Sequence, residues 1–340
     1  SAAAEAEVNA ARAQLAAAEL KVVEEVKRSY FELYYVQKAI RVISEDREIL
    51  TNLIEVADSM YVTGRSSQQD VLRLQAELSN VDGELIRMEQ MRESARADLA
   101  QVLHISPDTP LEAVEELSSA EAPQNLQALY EQAVRDRPEL HAMLAEINRD
   151  QHLADRARLE YYPDVTFKMG WGEMTTSGAI APTADGIDNI TVGIGVNLPI
   201  YRNRLRSAVH EAEATAVASA RQYDQMKDET QRDVKQLFTQ AISQRETEAL
   251  FRESIIPKTE QALEVAMRGY QVGQTDFADL IANWRELLKF HLTQLQLESQ
   301  YRQTLASLER VVGGIPVSPA QVAPPSAVAP EPELQPQPNE

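Results

Sequence analysis

The chain contains no cysteine. That excludes a disulfide framework and thiolate metal ligation, and leaves the compartment unmarked by redox chemistry. It has no apolar run approaching the roughly 18 residues that a membrane-crossing helix needs. Basic residues are in deficit: 33 Lys and Arg face 53 Asp and Glu, for a net charge of −20. A phosphate backbone needs a basic face, so nucleic acid is not an expected partner. Aromatics make up only 6% of 340 residues, which argues against a compact mixed core and for long helices. The opening "SAAAEAEVNAARAQLAAAEL" lacks the basic and apolar regions of a secretion signal and reads as helix already under way. If the protein is exported, its signal lies upstream of Ser1.

Chemical motifs are missing too. No GxSxG, P-loop or dinucleotide fingerprint occurs. The five histidines, His104, His141, His152, His210 and His291, form no HExxH or i,i+4 pair. The methionines are scattered singly and read as packing. Carboxylates this dense on helices are mostly a solvated face. Neither a catalytic pair, a cofactor nor a metal is expected.

What is present is helical periodicity. From residue 4 to about 61 no strong breaker occurs, and Val22, Val26, Tyr30, Leu33, Val36 and Ile40 recur at helical spacing. Such a helix is roughly 80 Å long and needs partner helices along its length. Gly64 offers a C-cap, and Ser66 or Ser67 an N-cap, for a second helix carrying Val71, Leu74, Leu78, Val81, Leu85 and Met88 to about His104. Residues 105–124 read as a connector with one short helix. Helix returns over residues 126–135, and Pro138 suits the first turn of another over 139–160.

The period then changes to two. Val165, Phe167, Met169 and Trp171 alternate with Thr166, Lys168, Gly170 and Gly172, within a strand expected to reach Met174. After a polar loop (residues 175–188), Ile190, Val192, Ile194, Val196 and Leu198 alternate with Thr191, Gly193, Gly195 and Asn197. This predicts an antiparallel hairpin. A soluble strand on a core and a membrane barrel strand share this alternation. Tyr161, Tyr162 and Trp171 suit an interfacial aromatic girdle or ordinary packing at the helix–strand junction. Helix resumes from about 208 to 254, continues past Pro257 to 270, and ends with a helix over 276–312 before Gly313 and Gly314. The tail from 314 holds half of the 16 prolines and reads as disordered or polyproline-like.

Two stretches repeat. "EVADSMYVTG" (residues 55–64) resembles "EVAMRGYQVG" (264–273), and "EVKRSYFEL" (25–33) resembles "DVKQLFTQA" (233–241). Asp70 matches Asp279 and Leu78 matches Leu287. The chain therefore divides into a first helical hairpin (1–104), a connector (105–160), a β-hairpin (161–202), a second helical hairpin (203–313) and a tail (314–340). Because only the second repeat follows a β-hairpin, the pattern predicts another upstream of Ser1.

The order helix, Gly turn, helix, connector, "RPEL…LADRARLEYYPDVTF", β-hairpin, "NLPIYRNRLRSAVHEAEA", helix, "YQVGQTDFADLI", helix, "VVGG" resembles the TolC-type outer membrane factors over nearly all of residues 1–314. These are the exit ducts of tripartite efflux pumps and type I secretion systems. The resemblance implies a mainly α fold in which two long antiparallel helical hairpins form part of a trimeric α-barrel. The β-hairpin joins an outer-membrane β-barrel, with Phe167, Met169, Trp171, Ile190, Val192, Ile194 and Val196 facing lipid. It implies a passive duct from the outer membrane into the periplasm, working as a homotrimer with an adaptor protein and an inner-membrane pump.

By the same resemblance, Thr63, Gly64, Arg65 and Val272, Gly273, Gln274 are adaptor-docking tips, of which Val272-Gly273 fits the family pattern better. Asp70, Asp279 and Tyr270 belong to a periplasmic gate. Thr275 stands where a basic residue is expected, so one ionic lock is absent, although Arg65 lies in the other tip. Ala282 replaces an acid found in some relatives, implying weaker cation selectivity. Without the family, Asp70 and Asp279 read as acids complementing a helix dipole. A periplasmic adaptor and a purely structural coiled coil are the rivals. Two hairpins without a lipoyl-like strand set argue against the first, and the change of period against the second.

Overall fold

The computed structural model describes residues 2–117, 124–172 and 189–314. Met174, the loop at 175–188 and the tail from 315 lie outside the described residues. Among the described residues, seven α-helices and two strands follow in order: α1 (Ala2–Val62), α2 (Gln68–Val102), α3 (Leu126–Asp136), α4 (Pro138–Leu159), β1 (Asp164–Gly172), β2 (Asn189–Asn197), α5 (Arg202–Leu250), α6 (Ile256–Gln271) and α7 (Phe277–Val311). The connector is described only in part. Its described residues 105–117 form turns and bends, with no helix; residues 118–123 lie outside the described set.

A π-helical turn, Phe251–Ile255, separates α5 from α6. Pro257 has no N–H and its ring crowds the carbonyl four residues earlier, so an α-ladder cannot run through it. The Ile256 N–H donates instead to the Phe251 carbonyl, five residues back, which absorbs the defect within one turn.

The chain forms two compact units. One comprises Ser1–Leu15 and Pro138–Asp228, the other Ala16–Arg137 and Glu229–Glu340. In the first unit β1 and β2 pair antiparallel, with Val165 opposite Val196, Phe167 opposite Ile194, Met169 opposite Val192 and Trp171 opposite Ile190. Paired residues share a face. One face of the ribbon is therefore wholly apolar and the other is Asp, Thr, Lys, Gly and Asn. All eight apolar side chains are exposed in the single chain. Elsewhere in this unit, Asp150 of α4 is buried and accepts a hydrogen bond from Ser219 Oγ at 2.5 Å. Arg158 Nη2 donates to Glu213 at 2.7 Å.

The second unit holds a core to which four helices contribute: Ile43, Leu50 and Leu53 of α1, Leu74 and Val81 of α2, Leu263 and Tyr270 of α6, and Phe277, Leu280, Trp284 and Leu287 of α7. Each supplies a stripe at helical spacing, which is what supports helices of this length. At the end of α7, Gly313 takes φ +83°. A Cβ there would lie 2.3 Å from the Asp136 carbonyl oxygen, so both conformation and space require glycine.

One core position carries charge. Asp46 is 4% exposed, and burial, aided by the nearby Glu45 carboxylate, pushes it up to about 6, while the Trp284 indole opposes that rise. The Trp284 Nε1–H makes no hydrogen bond of full geometry, so this opposition is weak. A raised carboxyl makes its folding contribution below its unfolded value and loses it as pH climbs through about 6. Asp46→Asn is expected to be more stable than the parent at pH 8 by on the order of 2 kcal/mol. The gap should close at pH 4, as thermal unfolding at the two pH values will show.

Candidate gate at the paired glycine turns

Both turns are in the second unit. After α1 the chain enters the left-handed region at Gly64, φ +71°. The Arg65 N–H donates to the Met60 carbonyl at 2.8 Å and the Gly64 N–H to Tyr61 at 2.9 Å. After α6, Gly273 takes φ +77°. Gln274 donates to Gly269 at 2.8 Å and Gly273 to Tyr270 at 3.1 Å. Each is a Schellman ending, with the same two bonds in the same positions. A Cβ at either glycine would meet nothing within 4 Å, so backbone conformation alone selects glycine.

The following helices start differently. Ser67 caps α2, accepting from the Gln69 N–H at 2.9 Å, and the Asp70 carboxylate accepts from the Ser67 N–H at 3.3 Å. This is a capping box with aspartate in the reciprocal place. α7 is capped by Asp276, which accepts from the Phe277 N–H at 2.7 Å, so Asp279 is not drawn into its cap.

The two turns are tied together by one side-chain chain. Tyr270, buried at the end of α6, stands edge-on to Phe277 with ring centroids 6.1 Å apart. Its hydroxyl is 3.0 Å from Ser66 Oγ, and Ser66 Oγ donates to Asp70 Oδ2 at 3.2 Å. Asp70 thus caps α2 and also ends a path from α6 through Tyr270. Tyr61, the matching residue of the first repeat, is 43% exposed. The repeat is symmetric in backbone and asymmetric in side chains.

Of the residues singled out from sequence, Tyr270 and Asp70 come together. Asp279 does not join them: it is exposed, and its carboxylate has no hydrogen bond or ion pair among the described residues. Thr275 packs on Gly269, where a Cβ would lie 2.1 Å from Thr275 Oγ1. Arg65 is exposed and forms no ion pair among the described residues. Thr63 Oγ1 is held by the Ser59 and Met60 carbonyls at 3.1 and 3.0 Å. Val272 is 68% exposed and Gln274 is exposed. The sequence reading took Ser66 only as a possible cap and passed over Gly269. The repeat itself carried a signal, since Ser66 stands at the position of Thr275.

Below the turns, Arg285 of α7 donates through Nε to Glu77 of α2 at 2.8 Å. That bond holds the Glu77 carboxyl below its usual range. Among the described residues, no group of three or more His, Cys, Asp or Glu is placed to hold a metal. No described helix is long and apolar enough to cross a membrane.

A family model described as outer membrane efflux protein matches residues 1–103 and 129–314. The cobalt-zinc-cadmium resistance protein CzcC of Cupriavidus metallidurans is 24% identical over 309 residues, covering 89% of this chain and 70% of that protein. The outer membrane efflux protein BepC of Brucella suis is 23% identical over 301 residues, covering 87% of this chain and 64% of its own length. The chain thus spans about two-thirds of these relatives. The solved structure of outer membrane protein VceC from Vibrio cholerae superposes with a TM-score of 0.79 at 20% identity, over 92% of this chain and 75% of that one.

Proposed function

The chain belongs to the outer membrane efflux protein family, and from that premise we propose that it is one protomer of a homotrimeric exit duct, gated at its two glycine turns. The family is one of efflux ducts, located in the outer membrane and extending into the periplasm. Transport through this chain is passive and involves no catalytic step: an inner-membrane pump and a periplasmic adaptor supply energy and substrate. The lipid-facing surface is the apolar ribbon face of Phe167, Met169, Trp171, Ile190, Val192, Ile194 and Val196. A two-stranded hairpin is marginal alone, and closing strands into a barrel removes its edges.

The observation that carries the gate is the path Tyr270–Ser66–Asp70, which joins the two turns. Threefold symmetry repeats Asp279 around an axis. A ring of carboxylates favours cations and resists close approach. Asp279, exposed and unengaged, is the residue suited to that ring; Asp70 is the one suited to holding the turns together. Thr63, Gly64, Arg65, Val272, Gly273 and Gln274 present the adaptor-docking surface, on which Val272 is an exposed apolar side chain. Thr275 fills the space beside Gly269 and tightens the second turn.

A hydrogen bond of this kind contributes about 0.5–1.5 kcal/mol net, so its loss shifts a two-state gate by roughly 2- to 10-fold. Tyr270→Phe is expected to raise the open fraction in planar-bilayer conductance by that factor. Ser66→Ala should do the same, and the double variant should add little, because both break one path. Unchanged conductance in both single variants would remove the path from the gate.

A further inference from the structure

In the second unit a groove of about 480 Å³ lies between α1, α6 and α7. That is within the range of small-molecule sites, about 300–1,000 Å³. Buried Leu263 and Leu287, with half-buried Val42 and Leu295, give it an apolar lining. Its charged lining is acidic. Glu45 and Asp46 of α1 and Glu260 of α6 line it, and no Lys or Arg among the described residues does.

Acids on a helix are usually solvated and need no partner. Asp46 is different. It is 4% exposed, yet among the described residues its carboxylate makes no ion pair and no hydrogen bond of full geometry. An uncompensated buried charge is costly, which is why burial pushes this carboxyl up to about 6. The other titratable groups of the groove are Glu45, Glu260 and His291. Glu45 raises Asp46 further. His291 Nε2 is 3.6 Å from Glu260 Oε1, and an imidazole is a cation only when protonated. At pH 8 the groove therefore presents acids with no cation of their own.

A bare metal ion does not match this lining. Among the described residues no three His, Asp or Glu are placed to hold one, and an ion leaves the leucines wet. A neutral apolar molecule covers the leucines and leaves Asp46 unpaired. An ammonium carried on an apolar body answers both features. Its N–H groups make charge-assisted bonds to the carboxylate, and its hydrocarbon takes the leucines out of water.

We propose that this groove binds a small organic ammonium, its N–H donors on Asp46 with Glu45 beside it, and its apolar body on Leu263 and Leu287. Bound there, it bridges α1 to α6 and α7. The inference needs only the second unit and is independent of the duct reading.

The test uses the purified full-length protein in detergent. The probe is phenylbutylammonium, with phenylbutanol and phenylbutanoate as its neutral and anionic matches, and calorimetric titration reads Kd. At pH 8 the ammonium should bind about tenfold more tightly than the alcohol, and the carboxylate more weakly than either. Asp46→Asn should erase the preference for the ammonium. That variant is expected to be the more stable protein at pH 8, so unfolding does not mimic the result. Glu48→Gln removes the same charge from an exposed position of α1 outside the groove and should keep the preference. At pH 5, where Asp46 of the parent has taken up its proton, the preference should shrink toward that of Asp46→Asn. Equal binding of ammonium and alcohol by the parent, or a preference that survives Asp46→Asn, overturns the site. A probe that only partitions into detergent gives parent and variant the same signal, and that result also overturns it.

Discussion

Ile194→Arg is expected to abolish recovery of the protein from the outer membrane. Ile194 is central in β2, opposite Phe167, on the apolar face of the ribbon, and 71% exposed in the single chain. Arginine at the lipid midplane of a barrel costs about 2–4 kcal/mol. In the proposed homotrimer that cost recurs three times, roughly 6–12 kcal/mol in all, comparable with the whole stability of a typical domain. Thr166→Arg is the control. Thr166 pairs with Gly195 on the opposite face, which in a barrel points to a wet lumen where charge is tolerated. Fractionation and heat-modifiable mobility on gels read both variants. Equal loss, or equal tolerance, would contradict the assignment of faces.

Trp284→Ala is expected to destabilise the helical unit by about 3–5 kcal/mol, the usual range for deleting a fully buried tryptophan. Trp284 is 1% exposed in the core to which α1, α2, α6 and α7 all contribute. It lies two turns into α7 from Phe277, the ring that stands against Tyr270. A cavity here therefore loosens the packing beneath the turns as well as the core. Trp284→Phe should recover part of the loss. The midpoint of helical circular dichroism on heating checks it; a change below about 1 kcal/mol would mean the core relaxes around the gap.

Much of the fold was legible because its signals are local. Helical periodicity fixed α1, α2 and α7 to within a few residues. Gly64 and Gly273 announced their turns because few other residues accept positive φ, and both occupy it. Alternation placed the apolar strand residues on one face, and the observed register pairs them with one another except Leu198, which lies past the end of β2. The two-residue period leaves little freedom once the strands are antiparallel. The membrane reading of that face came from the family resemblance, since on alternation alone a soluble strand is the commoner case.

What escaped the sequence was tertiary. Ser66 reads as a helix cap until Tyr270, 204 residues away, is brought beside it. Asp46 reads as a surface acid, although it falls three residues after Ile43 and four before Leu50, on the buried stripe itself. A charge at such a position is a warning that composition-based reasoning passes over. Pro257 was visible, but the π-turn that accommodates it is a choice among several ways of re-pairing a broken ladder. Asp70 and Asp279 looked equivalent from their shared place six residues after each glycine. They differ because a serine caps one helix and an aspartate the other, so only Asp70 is drawn into a capping box.

The central claim is that the second turn lies at a shared aperture formed by copies of the chain. These 340 residues hold no cysteine, so Asp279→Cys gives them a single reactive thiol at the second turn. A short bis-maleimide applied to cells expressing this variant with its pump is expected to yield covalently linked protomers and to stop export. The same reagent should leave the parent untouched. Export that continues through fully crosslinked protein, or the absence of any inter-protomer crosslink at 279, would contradict the gate.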